Sequence, residues 1–380
     1  MKVIKLKNLS KKQYQRIVKR SFGQNSDILP KVKEIMGKVK NGGDKILLEK
    51  YQKRFGKDAY KTIRVTSEEI KRVYNTVDEK VIQSLSQMMK NITLVHKAQL
   101  LKKRDKTVFP QKGISVWRTF RPIEKIGLYI PGGKAIYPSS VLMTAIPAQI
   151  AGCQEMVMCA PPGEDGQIPP ATLVAADMIG LTNIYKVGGA EAIAAMAYGT
   201  ETISKVYKIF GAGNSFVTAA KMLAFGEVAI DMPAGPSEIF IIADETAKPA
   251  YIAADLLADG EHGEDSACVL LTTSKEIAKA TIKEIEGELK TLKTAQYAKE
   301  SLRKYGLIAL VESLDEAVEF TNAYAPEHLE IMTKDPVALV KKIKNAGSIF
   351  LGDWTTKSSG DYATGANHDL PTGGKAKMYH

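Results

Sequence analysis

From about Ser10 to Lys103, apolar residues recur at intervals of three and four, as in Ile63, Val65, Ile70, Val73, Val77, Val81, Ile82, Leu85, Met88 and Met89. Such a period lines one face of an α-helix, and acidic openings such as "TSEE" mark starts, so several helices are predicted here. Between Thr107 and Ile130, "TVFPQKGISVWRTFRPIEKIGLYI" is rich in β-branched and aromatic residues with turn signals at Pro110 and Gly113, which predicts strands. Beyond Pro131 the texture changes to short apolar runs: "EMVMCAPP", "NIYKVGGA", "KVYKIFGAG", "SEIFIIAD", "SACVLLTT", "GLIALVES" and "AGSIFLGD". Helical patterns such as Ser139 to Ile150 and Asn214 to Phe225 separate them. Continuous apolar runs suit strands buried on both faces, and their alternation with helices predicts parallel, doubly wound α/β sheets. The runs are too numerous for one crossover series, so two sheets are expected.

Composition adds little to this until charge is mapped along the chain. Of 53 Lys and Arg in the 380 residues, 32 lie in residues 1–125, together with only 11 of the 42 Asp and Glu. A basic third of this kind can bind nucleic acid. Its cations, however, are spread along helical text such as "DILPKVKEIMGKVKNGGDKILLEKYQKRF" without interleaved aromatics, which reads as a solvated lysine face and not as a stacking platform. Three cysteines, Cys153, Cys159 and Cys268, form no C-x-x-C pair. Each lies in or beside strand-like text and is read as core, and a reducing, cytoplasmic setting is expected. The N-terminus breaks every apolar run with lysine, so it carries no signal-peptide core, and no segment has the length and apolarity of a membrane span.

Chemistry concentrates in two kinds of text. Glycine turns follow strand-like runs at "YIPGG" (Tyr129 to Gly133), "VGGAEA" (Val187 to Ala192) and "FGAGNSF" (Phe210 to Phe216). None fits G-x-G-x-x-G, yet three turns of this kind before helices suit a nucleotide-sized anion at the carboxyl ends of strands. Three of the five histidines sit beside acids, in "DGEHGEDS", "APEHLE" and "ANHDLP". One His beside an acid is ordinarily a surface ion pair or a cap; three among five suggest a metal or proton-transfer site. Asp259 and His262 are three apart, which lets two ligands converge on one helical turn, and imidazole with carboxylate suits Zn²⁺. Asp361 could supply a further ligand. In "YAPEHLE", Glu327 and His328 are adjacent after a proline, an arrangement suited to two proton-transfer tasks. His96, inside "ITLVHKAQL", is read as a helix-face residue. Asp361 and His368 stand seven apart in "GDYATGANHDLPTGG", where glycine and proline predict an ordered loop and no continuous helix.

Taken in order, "GLYIPGG", "VGGAEAIAAMAYGT", "KIFGAGN", "DMPAGPSE", "EHGEDS", "YAPEHLE" and "SSGDYATGANHDLPTGG" resemble the histidinol dehydrogenase family. The resemblance runs from the N-terminal helices almost to the end of the chain. It implies an aldehyde-dehydrogenase-like α/β fold: N-terminal helices and two incomplete Rossmann-like domains, one inserted in the other, in a homodimer. The expected division is an N-terminal helical segment at 1–24, a discontinuous domain at 25–128 and 239–380 carrying metal and catalytic residues, and an inserted NAD-binding domain at 129–238.

The implied roles follow the matching positions. Tyr129, Glu191 and Asn214 would line the NAD site. Asp259, His262 and Asp361 would bind Zn²⁺, Glu327 and His328 would be the acid/base pair, and Ser237, Asp259, His262, His328, Asp361 and His368 would meet substrate. The implied reaction is oxidation of L-histidinol to L-histidine through L-histidinaldehyde with two NAD⁺, the last steps of histidine biosynthesis. Partners are then a small-molecule substrate and a second copy of the chain, with no membrane and no nucleic acid.

Three departures from the family pattern accompany this. Asp259 stands where the family usually has a glutamine ligand, and Glu191 where a glutamine usually contacts NAD. Family members also continue past the position of His380 into a small helical domain with a further histidine ligand. That domain is absent here, so weakened zinc binding and poor turnover are expected. Two other readings stay open: a family relative oxidising another small alcohol, and a basic nucleic-acid-binding protein.

Overall fold

A computed structural model describes residues 2–20, 27–57, 60–100, 105–132 and 136–379. Gly133 of the first glycine turn, His380 and the expected 24/25 boundary lie outside the described residues. The chain opens with a short strand, β1 (Val3–Lys5), and then α1 (Lys11–Lys19), which starts at a capping box between Ser10 and Gln13. Helices α2 (Ile28–Phe55), α3 (Ser67–Val73) and α4 (Glu79–Gln99) follow, as the periodicity predicts. In α2 the buried positions are Val32, Met36, Val39, Leu47 and Tyr51, while Lys31, Lys33, Lys38, Lys40 and Lys45 are exposed. The lysine excess of the first third is, along this helix, a solvated face.

From Lys125 strands and helices alternate. They are β2 (Lys125–Tyr129), α5 (Pro138–Ala151), β3 (Glu155–Cys159), α6 (Pro170–Met178) and β4 (Ile184–Tyr185). Next come α7 (Gly189–Tyr198), β5 (Lys208–Phe210), α8 (Ser215–Ala224) and β6 (Ala229–Ile230). A second series has β7 (Glu238–Ala243), α9 (Pro249–Gly260), β8 (Ala267–Thr272), α10 (Lys275–Glu288), α11 (Ala295–Tyr305) and β9 (Leu307–Leu310). It ends with α12 (Leu314–Tyr324), β10 (His328–Met332), α13 (Pro336–Val340), β11 (Ser348–Leu351) and α14 (Lys357–Tyr362). No helix among the described residues is long and apolar enough to cross a membrane.

The strands form two parallel sheets, each within its own compact unit. The five-stranded sheet has the order β4-β3-β2-β5-β6, in chain order third, second, first, fourth, fifth. This is the Rossmann order without its sixth strand. The six-stranded sheet, β1-β9-β8-β7-β10-β11, repeats that order for its five later strands and adds β1 at one edge. Both sheets are covered on both faces. In the six-stranded sheet Ile239 and Ile241 pack with Ile252, Leu256 and Leu302, whereas Phe240 and Ile242 face Ala317, Phe320 and Leu339. Alternate residues of one strand thus enter opposite cores, which explains why the strand text is apolar throughout.

The chain division differs from the expected one. The six-stranded unit is Met1–Gln24, Ala234–Gly360 and Leu370–His380, and the five-stranded unit is Asn25–Pro233 with Asp361–Asp369, inserted in the first. Residues 25–128 therefore belong with 129–233 and not with 239–380. The reason is apolar: Val32, Met36 and Leu47 of α2 share a core with Ile193 and Ile209, and Leu85, Met88 and Ile92 of α4 share one with Ile126 and Leu128. The segment before residue 25 contributes an edge strand as well as a helix. Of the strands predicted between Thr107 and Ile130, the structure has β2 and a single antiparallel bridge between Val108 and Val116.

The centre of the five-stranded sheet depends on one glycine. Gly211 follows β5 with φ +116°, and a Cβ there would lie 2.0 Å from the Tyr129 carbonyl oxygen of β2. Its N–H donates to Asp231 Oδ2 at 2.8 Å and its carbonyl accepts from Lys221 Nζ at 2.8 Å, so the turn has little room to move. Gly211→Ala is expected to destabilise the protein by at least about 2 kcal/mol, the scale of a strained left-handed residue. A thermal melt checks this, and an unchanged midpoint would contradict the close approach.

Candidate active site

In the six-stranded unit, α12 ends at Ala325 in a left-handed conformation with φ +52°, Pro326 redirects the chain, and β10 begins at His328. "YAPEHLE" is thus the entry to a central strand. β10 pairs with β7 so that His328 lies opposite Ile239, which brings Glu327 beside Glu238. The two acids exchange backbone hydrogen bonds: the Glu238 N–H donates to Glu327 Oε2 at 2.9 Å, and the Glu327 N–H donates to Glu238 Oε2 at 3.3 Å. The Glu238 carboxylate, fully buried, is gripped by Arg20 through Nε at 2.7 Å and Nη2 at 2.8 Å and also accepts from the Gly373 N–H at 2.9 Å. Arg20 donates through Nη1 to the Tyr324 carbonyl at 2.7 Å and lies over the Tyr324 ring at 3.5 Å. A planar, two-pronged guanidinium suits this role better than an ammonium.

His328 is oriented by the same strand. Its Nδ1 lies 3.1 Å from the Glu238 carbonyl oxygen, an acceptor only, which assigns the ring proton to Nδ1 and leaves Nε2 as the basic nitrogen. The Glu327 carboxylate is 3.5 Å and that of Asp259 3.8 Å from the same Nδ1. Burial lifts the Glu327 pKa well above the ordinary carboxylate range, the charges of Asp259 and Glu238 add to the rise, and Lys357 works against it. A carboxyl so placed is a stronger base than an exposed one.

Asp259 lies in the last turn of α9 and is completely buried, with His262 one turn on, as their spacing predicts. His262 Nδ1 is 3.3 Å from Asp259 Oδ1 and 3.2 Å from Ser237 Oγ. The nearest cation is Lys357, whose Nζ lies 2.8 Å from Asp259 Oδ1. Burial alone would raise the Asp259 pKa, but Lys357, followed by His262 and His328, holds it well below the usual carboxylate range. Behind Lys357 stands a pair of acids. Glu330 accepts the Lys357 N–H at 2.6 Å and is raised well above its ordinary value by burial and by Asp255, whose own pKa burial pushes up to about 6.

The residues expected at the cofactor lie together at the carboxyl edge of the five-stranded sheet. Tyr129 ends β2, and its Oη accepts the Gly189 N–H at 3.2 Å. Glu191 lies in the first turn of α7 and pairs with Lys50 at 2.7 Å, which offsets its charge. Asn214 caps α8, its Oδ1 accepting from Phe216 N–H at 3.0 Å and Val217 N–H at 3.2 Å. Tyr51 Oη accepts the Gly188 N–H at 2.8 Å. Asp361 and His368 belong to this unit as well. Asp361 is buried and lies on α14, which corrects the expectation of a loop at that position; the chain past Tyr362 is irregular, as glycine and proline predict. Cys159 and Cys268 are buried strand residues, and Cys153 is half-buried.

The six-stranded unit therefore unites Ser237, Asp259, His262, Glu327 and His328. The sequence reading missed Arg20, Glu238 and Lys357 there, and Lys50 and Tyr51 at the other sheet. Glu238 carried a signal, an acid opening the apolar run "SEIFIIAD"; the two lysines and Arg20 sit in text as basic as their surroundings. The fit to zinc is poor as these side chains stand. Among the described residues no three His, Cys, Asp or Glu groups converge as a metal site, and the Asp259 oxygen offered to a metal already faces an ammonium.

The sequence model of histidinol dehydrogenase matches residues 18–380. Curated histidinol dehydrogenases are similar throughout. That of Methanothermobacter thermautotrophicus is 47% identical over 99% of this chain and 88% of its own, and that of Methanocaldococcus jannaschii 46% identical over 100% and 87%. A solved histidinol dehydrogenase from Elizabethkingia anophelis superposes with a TM-score of 0.90 at 43% identity, covering 98% of this chain and 85% of that one. A betaine aldehyde dehydrogenase from Staphylococcus aureus, 11% identical with a TM-score of 0.50 over 97% and 85% of the two chains, shares the fold alone. By the family match and by identity along its whole length, this chain belongs to the histidinol dehydrogenase family of NAD-dependent oxidoreductases.

Proposed function

We propose that the protein oxidises L-histidinol to L-histidine through L-histidinaldehyde, using two NAD⁺, as the last steps of histidine biosynthesis. The observation that carries this reading is the buried Glu327–His328 pair, oriented by the backbone and carboxylate of Glu238, in a chain of this family. NAD⁺, when bound, supplies the hydride acceptor, and Tyr129, Glu191 and Asn214 are the residues that would hold it. With its proton on Nδ1, His328 takes the substrate hydroxyl proton at Nε2 as the C–H bond breaks. After the aldehyde forms, Glu327 in its ionised form removes a proton from the attacking water while His328, protonated in the first step, returns a proton from Nε2 to the carbonyl oxygen, which gives the hydrate whose oxidation yields the acid. Ser237 and His262 orient the substrate beside this pair, and Asp361 and His368 keep the substrate-binding roles that the resemblance implies. Orientation of this kind lowers the barrier by converting an encounter into a fixed geometry.

Zn²⁺ on Asp259, His262 and Asp361, the site that the resemblance implies, has no part in this chemistry, because the donors do not fit the ion while Lys357 faces Asp259. A homodimer is part of the reading. It is supported by exposed Val108, Phe109, Ile114, Val116 and Trp117, clustered along one short segment, since apolar patches of this kind mark protein contacts.

Three outcomes are expected. His328→Asn should lower NADH formation from histidinol by about 10²–10⁴-fold, the usual contribution of a general base, with NAD⁺ affinity unchanged by calorimetry. Wild-type turnover in that variant, or equal turnover of alcohols lacking the imidazole, would overturn the assignment. With histidinaldehyde as substrate, the wild-type rate should climb as pH rises through the elevated Glu327 pKa, because only the ionised form is a base, and Glu327→Gln should flatten that climb. Light scattering should give twice the chain mass, and a monomer at micromolar concentration would count against the dimer.

A further inference from the structure

Lys357 is a lysine in an unusual place. It opens α14 with its side chain 3% exposed, and its ammonium lies 2.8 Å from an Asp259 carboxylate that is wholly buried. Its backbone is tethered as well, through the N–H bond to Glu330 Oε1 at 2.6 Å. Buried lysines are rare unless paired, since removing an ammonium from water is costly. The pairing here is with Asp259, a fully buried anion that gives the buried ammonium its partner.

Lys357 contacts Asp259 through its ammonium and Glu330 through its backbone N–H, its charge also acts on Asp255 and Glu327, and His262 and His328 face Asp259. Asp259 and His262 together offer two donors, one of which already has a full positive charge beside it. A divalent ion within coordination distance of Asp259 Oδ1 would sit in near contact with the ammonium, and two cations so close in a buried site repel strongly. Either the ion or the ammonium can neutralise Asp259 at that oxygen.

We propose that Lys357 is the resident cation of this centre: it neutralises Asp259 in place of Zn²⁺, and the protein works without a bound divalent metal. Lys357 is a positioning residue in this scheme. It fixes the Asp259 carboxylate, which in turn faces His262 Nδ1 and His328 Nδ1. The inference rests on the proposed reaction only where turnover is the readout; metal binding is measured without substrate.

The test is zinc affinity of the full chain, by competition with a chromogenic chelator, together with metal content after dialysis. The wild-type protein should retain less than about 0.1 zinc per chain, and its NADH formation from histidinol should change less than about twofold with EDTA or added zinc. Lys357→Gln removes the competing charge and should bind zinc at least about tenfold more tightly than wild type, while Lys357→Arg should not. Stoichiometric zinc in the wild-type protein, loss of activity to EDTA that zinc restores, or unchanged zinc affinity in folded Lys357→Gln would each overturn the proposal. If Lys357→Gln does not fold, the wild-type metal content decides alone. Failure of the protein to oxidise histidinol would defeat the proposed function and leave the zinc measurement still decisive here.

Discussion

The Glu238 carboxylate is the interaction on which the rest of the candidate centre depends. It accepts two hydrogen bonds from Arg20, one from Gly373 and one from Glu327, and its own backbone orients both Glu327 and His328. Each bond joins segments far apart in the chain: the end of the N-terminal helix, the start of β7, the entry to β10, and the last dozen residues. An isolated buried carboxylate would be strongly unfavourable, and the guanidinium removes that cost only in this geometry. Removing one partner of such a pair typically costs about 3–5 kcal/mol, because the other charge is left buried and alone. The stability of the unit and the alignment of its proton-transfer groups are therefore one problem.

The two sheets show how a single strand order serves different tasks. In the five-stranded sheet the expected cofactor residues follow the carboxyl ends of strands, where glycine turns lead into α7 and α8, as open α/β sheets ordinarily bind ligands. In the six-stranded sheet the arrangement is reversed. Ser237 precedes β7, His262 precedes β8 and His328 is the first residue of β10, so the reactive groups gather at the amino edge. The carboxyl-edge rule alone would have directed attention to the wrong end of this sheet.

Much of the fold was legible because parallel strands buried on both faces leave continuous apolar runs, and each of the seven quoted runs after Pro131 contains a strand. Both the two-sheet organisation and the pairing of Asp259 with His262 follow from local text. Sheet membership did not: helices α2 and α4 are amphipathic in either unit, and only their contacts with Ile193, Ile209, Ile126 and Leu128 reveal which sheet they cover. Charge partners were the least legible. Arg20 and Glu238 are separated by more than two hundred residues, and Lys357 looks like any surface lysine until α14 carries it to Asp259. The anion at position 259 was visible in the sequence, whereas the cation that accompanies it was not.

The central claim, that the Arg20 clasp on Glu238 sets the geometry of Glu327 and His328, is tested most directly by steady-state kinetics of Arg20→Lys with histidinol and NAD⁺. Lysine retains the charge but cannot grip both carboxylate oxygens while also reaching the Tyr324 carbonyl. The account predicts a kcat lower by at least about tenfold, with KM for NAD⁺ unchanged and the protein still folded by circular dichroism. A folded Arg20→Lys protein with wild-type kcat would contradict it.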